Sequence, residues 1–188
     1  DVCSSDLMPP NLRPEDGSLD RAKDWAQRLR TGARMVHLAT ASEDGTPESS
    51  LVPAIMAETG EIIVLVSGLA RHTANLRANP RASVLMLDAE AEVARRSPLA
   101  TPRLTLGCRV QPLPRESPGW PKAIARFHAG FGETIAVLSA LSDFGCFTLH
   151  PEQGRLVSGF GQAFAVDPSD WTQLTRLAPA SASQRSER

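Results

Sequence analysis

The feature that most narrows what this chain can fold into is the spacing of its β-prone runs, several of which are separated by no more than a tight turn. Arg34 to Ala41 (RMVHLATA) is followed by a turn signal at Glu43-Asp44-Gly45-Thr46 and then by Glu48 to Met56 (ESSLVPAIM), so the two pair as a hairpin. A second turn at Thr59-Gly60 leads into Glu61 to Ser67 (EIIVLVS), the strongest buried strand of the sequence. Strands joined in this way form an antiparallel sheet that curls into a barrel, with isolated helices outside it or plugging its ends.

The helices are few. Ser18 offers an N-cap, and Ala22, Trp25, Ala26 and Leu29 recur at helical spacing until Gly32 stops the run. Ala70 to Ala78 (ARHTANLRA) reads as a short helix closed by Asn79-Pro80, because a residue before proline is pushed out of the helical region. Arg81 to Asp88 is strand, Ala89 to Thr101 a polar loop, and Arg103 to Val110 (RLTLGCRV) a further strand ended by a break at Pro112 and Pro114. Trp120 to Phe131 and Glu133 to Leu141 are helical, with Gly132 between them. Asp143 to Leu149 and Arg155 to Ala165 complete the set as two strands. No internal repeat is visible, and strand and helix do not alternate regularly enough for a Rossmann sheet.

A chain of 188 residues with 41% hydrophobic content holds one core, so one domain is expected, over residues 18–170. Residues 1–17 read as a disordered or artefactual leader. Its first part, Asp1 to Leu7 (DVCSSDL), is what one frame of a sequencing-library adapter encodes, which would put the start at Met8. Residues 171–188 read as a tail, and Ala178 to Arg188 has too little apolar surface to fold. Twenty basic residues nearly cancel 21 acidic ones, so nothing in the bulk charge recruits nucleic acid or an anionic membrane. No stretch approaches the roughly 20 apolar residues of a membrane span, and no signal peptide is apparent, so a cytoplasmic location is expected. Cys3, Cys108 and Cys146 form no CxxC pair, which argues against a zinc site or a disulfide framework.

Three segments, in order and spacing, carry a resemblance. Ser49-Ser50-Leu51-Val52-Pro53, then Ser67 to Leu76 (SGLARHTANL), then Asn79-Pro80-Arg81-Ala82-Ser83 resemble the pyridoxamine 5'-phosphate oxidase-like FMN-binding split β-barrels. With the late Gly159-Phe160-Gly161-Gln162-Ala163, the likeness is greatest to the haem-utilisation and haem-degrading branch. The resemblance implies a mainly β fold with flanking helices, an antiparallel, Greek-key-like split barrel. It also implies a homodimer that shares each cofactor site between two chains.

The residues of the middle segment support this by their own chemistry. A strand ends at Ser67, and within a turn the chain offers a hydroxyl, a guanidinium, an imidazole and free amides at a helix start, which suit a phosphate monoester. As the resemblance implies, Ser67, Arg71, His72, Thr73 and Asn75 would hold the FMN phosphate with help from Ser50. Arg103 would meet the edge of the flavin ring, where a cation stabilises negative charge on the reduced form. The alternative at each position is a capped surface helix or a solvated strand end. No residue stands out as a general acid or base.

The chain departs from the true oxidases: it has no tyrosine, and it lacks their C-terminal tryptophan-and-arginine motif. Oxidation of pyridoxamine phosphate is therefore not expected. Three readings follow. The first is an FMN-binding flavoprotein, a flavin-dependent oxidoreductase acting on a small-molecule redox substrate. The second binds or degrades haem on the same fold, the turn serving propionates, with His128 and His150 as the histidines to test among His37, His72, His128 and His150. The third is a non-catalytic dimeric scaffold or regulator.

Overall fold

The computed structural model describes residues 18–88, 101–159 and 161–178. The expected leader, nearly all of the Ala89 to Thr101 loop, Phe160 and the last ten residues lie outside them. The elements run α1 (Ser18–Gly32), β1 (Met35–Ala41), β2 (Pro47–Met56), β3 (Ile62–Ser67), α2 (Arg71–Ala78), β4 (Arg81–Leu87) and β5 (Arg103–Leu113). Then come α3 (Gly119–Phe131), α4 (Thr134–Ala140), β6 (Phe144–Gly159), β7 (Gln162–Val166) and β8 (Leu174–Arg176).

All strand pairings are antiparallel, in the order β3-β2-β1-β4-β5-β6-β7-β8, and a further pairing of β3 with β6 closes the first six into a barrel. The split barrel is thus the observed fold. Inward residues alternate along each strand as the pleat requires. Val36 and Leu38 of β1, Val84 and Met86 of β4, and Leu104 and Leu106 of β5 are all buried, and they join Ala22, Ala26 and Leu29 of α1 in one core. A second, smaller core lies on the outside of the barrel, where Ile55, Leu65 and Cys146 meet Ala123 and Phe127 of α3 and Ile135 of α4. Arg115 ties that helical pair down by donating to the carbonyls of Ser139 at 2.9 Å and Phe144 at 2.7 Å, its guanidinium lying over Trp120.

Three expectations are corrected. First, β5 does not stop before Pro112 but runs to Leu113. The Val110 N–H donates to Pro80 at 2.8 Å, away from β6, and the Pro112 nitrogen two residues on faces the same side, beyond the start of β4. No ladder bond is lost there, so the proline is tolerated. Second, the expected strands Asp143 to Leu149 and Arg155 to Ala165 are one 16-residue strand, β6, and its return β7. Pro151 stands opposite Cys108 where the register shifts between Gly107 and Cys108, leaving Glu152 as the extra residue of a bulge. His150 consequently lies within a strand and does not end one. The reversal falls instead between Gly159 and Gln162, where Gly161 takes φ +68, a conformation that favours glycine.

Third, the packed chain extends past residue 170. Trp171 is 1% exposed and belongs to the main core, and Leu174–Arg176 pairs with β7. A single tryptophan between polar residues shows no periodicity, which is why the segment read as tail. Trp171→Ala is expected to lower unfolding stability in urea by about 3–5 kcal/mol, the usual range for emptying a large aromatic site. Truncation after residue 170 should do at least as much damage, whereas ending the chain at 178 should leave the midpoint unchanged.

Candidate functional site

The segment with the most polar chemistry follows β3. The Gly68 N–H donates to the Asp143 carbonyl at 2.5 Å, and a Cβ at Gly68 would stand 2.7 Å from that oxygen, so only glycine allows the approach. Ser67 Oγ donates to Asp143 Oδ2 at 3.0 Å and accepts the Leu69 N–H at 3.2 Å. Thr73, 1% exposed, donates its hydroxyl to the Ser67 carbonyl at 2.6 Å.

Helix α2 then lies across one end of the barrel. Glu48 and Ser50 share the face of β2 that carries buried Val52, and Thr40 continues the inward row of Val36 and Leu38 on β1. Each is met by a residue of α2: Arg71 Nε lies 3.5 Å from Glu48 Oε2, His72 Nδ1 lies 2.9 Å from Ser50 Oγ, and Asn75 Nδ2 donates to Thr40 Oγ1 at 3.0 Å. These pairs fasten α2 as a plug. Of the seven residues singled out from the sequence, Ser50, Ser67, Arg71, His72, Thr73 and Asn75 are therefore brought together. The Thr73 hydroxyl and the Asn75 amide point into the protein, and only the Arg71 side chain, 77% exposed, reaches well into solvent.

Arg103 is not part of that group within one chain. It stands opposite Leu87 and Val157 and donates to the Thr101 carbonyl at 3.3 Å, at the far end of β4 and β5 from Ser83 and Gly107, which align with the α2 end of β1.

The histidines differ in environment. Burial holds the His72 imidazole below its ordinary pKa against the opposing pull of Glu48, and its Nε2 is shielded from solvent with no hydrogen-bond partner among the described residues. His128 Nε2 lies 3.2 Å from Glu133, and His150 Nδ1 lies 3.8 Å from Glu61. The Thr59 hydroxyl holds the Glu61 carboxyl below its usual range, with His150 a lesser contributor. His37 is exposed on the outward face of β1, directly between Leu51 of β2 and Leu85 of β4. Its neighbours on that face include Met35 and Leu51, 43% and 57% exposed.

This outward face is what the sequence reading passed over. The signal was the alternation in MVHLATA, which puts Val36, Leu38 and Thr40 on one side and Met35, His37 and Ala39 on the other. The thiols of Cys108 and Cys146 are pushed up to about 12 by burial and are unreactive at neutral pH. Among the described residues no group of three His, Cys, Asp or Glu side chains is placed to hold a metal ion, and no helix is long and apolar enough to cross a membrane.

Comparison with known proteins bears on this geometry. The family model described as pyridoxamine 5'-phosphate oxidase matches residues 22–158. The chain is 37% identical over 157 residues to the haem oxygenase HutZ of Vibrio cholerae, covering 84% of this chain and 88% of the relative. A crystal structure of HutZ, described as a haem storage protein, superposes with a TM-score of 0.62 at 36% identity, covering 72% of this chain and 89% of the other. A haem-binding protein from Mycobacterium smegmatis gives 0.69 at 25% identity, covering 86% of this chain and 61% of the other.

Two outcomes test the plug. Asn75→Ala should lower stability in urea by about 1–3 kcal/mol, since it strands the buried Thr40 hydroxyl, whereas Arg71→Ala should change it by less than about 0.5 kcal/mol, its ion pair being exposed. Equal losses would contradict the assignment. A second outcome concerns pH. His72 titrates lower folded than unfolded, so its contribution is present above the unfolded value of 6.5 and is lost as pH falls through the depressed folded value. His72→Gln should flatten the stability profile just below pH 6.5, above the range in which carboxylates titrate.

Proposed function

The chain belongs to the pyridoxamine 5'-phosphate oxidase family, and from that premise we propose that it is a haem-binding protein of haem utilisation, acting as a dimer on the outward face of its sheet. The observation that carries this is the likeness to a haem oxygenase along nearly the whole of both chains. The residues present fit such a group. A planar macrocycle needs a flat apolar surface and an imidazole. Met35, Leu51 and Leu85 supply the surface around His37, whose imidazole is exposed. The exposed Arg71 guanidinium is held by Glu48, which belongs to the inward row of β2, so it lies at the barrel end and not on the face of Leu51 and His37.

In this reading His37 would ligate the iron, and the leucines would exclude water. Haem, when bound, would supply the oxygen chemistry by which its own ring is broken down. The protein's part is position and shielding. A second copy of the chain would cover the face: the exposed apolar side chains Met35 and Leu51 belong to a continuous sheet surface, which a monomer would leave wet.

A second reading, FMN binding with flavin-dependent oxidoreductase activity, is favoured by one observation. Ala70, the N-cap of α2, makes no side-chain cap, so the first amides of the helix lie beside exposed Arg71 and are free for a phosphate. Against it, Thr73 and Asn75 spend their donors inside the protein.

Haemin titration should shift the Soret band and saturate at one per chain, and His37→Ala should weaken it by more than about tenfold and alter the ligation spectrum. FMN binding more tightly than haemin, judged by quenching of flavin fluorescence, would reverse the order of the two readings. Light scattering should report about twice the 20.2 kDa of one chain. A folded species of single-chain mass at micromolar concentration would refute the dimer.

A further inference from the structure

A cavity of about 830 Å³ opens between the end of α1, the end of β2 and the last turns of α3, within the range of about 300–1,000 Å³ common for small-molecule sites. Its apolar lining includes Ala54, Met56 and Phe131. Its charged lining is Arg30, Arg34 and Arg126 against one acid, Glu58. In a chain with 20 basic and 21 acidic residues this threefold excess of cations is local.

The arginines are only partly used by the protein itself. Arg30 donates to the Glu58 carbonyl at 3.4 Å, lies 5.9 Å from the Trp171 ring and is attracted by the Asp170 carboxylate, which still leaves donors of its guanidinium over. Arg34 lies 5.4 Å over the Phe131 ring and forms no ion pair with a described residue. Arg126 makes no hydrogen bond or ion pair among the described residues.

We propose that this cavity binds a small molecule carrying two or more acid groups on an apolar body. Three guanidinium groups and one carboxylate leave a net charge of about +2 around a lining that is otherwise uncharged, with Gln27 and Thr31 beside its apolar residues, and planar guanidinium forks match carboxylate and phosphate oxygens in pairs. A cleft lined by one sign of charge also concentrates the opposite ion. Among the described residues no histidine or cysteine lines it, and the ligand is held by its acid groups and its apolar surface. The site is separate from the His37 face, and neither assignment depends on the other.

The test uses the full chain and two dyes: bis-ANS, with two sulfonates on an aromatic frame, and N-phenylnaphthylamine, its uncharged counterpart. Bis-ANS should bind saturably and weaken as salt rises. Arg126→Glu should weaken its tightest site by about tenfold or more, a charge-assisted contact being lost, and Arg34→Gln should weaken it in the same direction. Arg81→Glu, an exposed substitution on β4 with the same change in net charge, should shift it less than about twofold, and N-phenylnaphthylamine should not respond to any of the three. Circular dichroism checks that each variant is folded, and the salt dependence of the unmodified chain gives a measure that needs no variant. Equal losses in Arg126→Glu and Arg81→Glu, binding indifferent to salt, or equal affinity for the two dyes would each overturn the proposal.

Discussion

The pairing of β6 with three other strands is the constraint on which the rest of the structure depends. Its first residues, Phe144 to Leu149, close the barrel against β3, Cys146 to Val157 lie along β5, and its last residues carry β7 and β8 away from the closure. Closure removes the exposed edge of β3, which is otherwise the most apolar strand and the most open to wrong pairing. The bulge at Glu152 comes where the strand leaves one partner for another, and the added twist of a bulge is what lets a single strand serve both. Without this strand the core of α1, β1, β4 and β5 would lack one wall, and the helical pair α3–α4 would lose the outer surface on which Phe127 and Ile135 rest.

Alternation then divides the work. On β1 the odd-numbered residues face outward and the even-numbered inward, so the strand that contributes Val36 and Leu38 to the core also presents Met35 and His37 to whatever covers the sheet. At the end of the inward row the apolar side chains give way to Thr40, Ser50 and Glu48, and α2 answers each of them with a polar partner. Polar groups at a barrel end are stable only when paired in this way. The residues most suggestive of an anion site in the sequence thus have structural duties, which leaves the outward face as the larger surface open to a planar ligand.

The barrel itself was legible in the sequence because the hairpins of β1, β2 and β3 are marked by Asp44-Gly45 and Thr59-Gly60, and because α1 follows helical periodicity from Ser18 to Gly32. What was not legible depended on long-range register. Pro112 and Pro151 looked like breaks, since their tolerance rests on which side of a strand lacks a neighbour and on where a bulge falls. Trp171 looked like tail because it stands alone among polar residues, while the core it joins includes Ala22, Ala26 and Leu29 of α1, far away in the chain. The cluster around Ser67 and α2 was found by residue type and spacing, but the directions of Ser67, His72 and Asn75 were set by partners 22 to 76 residues distant. Spacing alone does not carry that information.

The account turns on where a porphyrin rests. The most direct measurement is a heteronuclear NMR titration of isotope-labelled protein with gallium protoporphyrin, a diamagnetic stand-in for haem. Amide shifts should centre on Met35, His37 and Ala39 of β1 and on their cross-strand neighbours Leu51 and Leu85, with the His37 imidazole among the groups most affected. Shifts confined to the start of α2, or to the inner side of the α3–α4 pair, with the outward face of β1 unchanged, would contradict it.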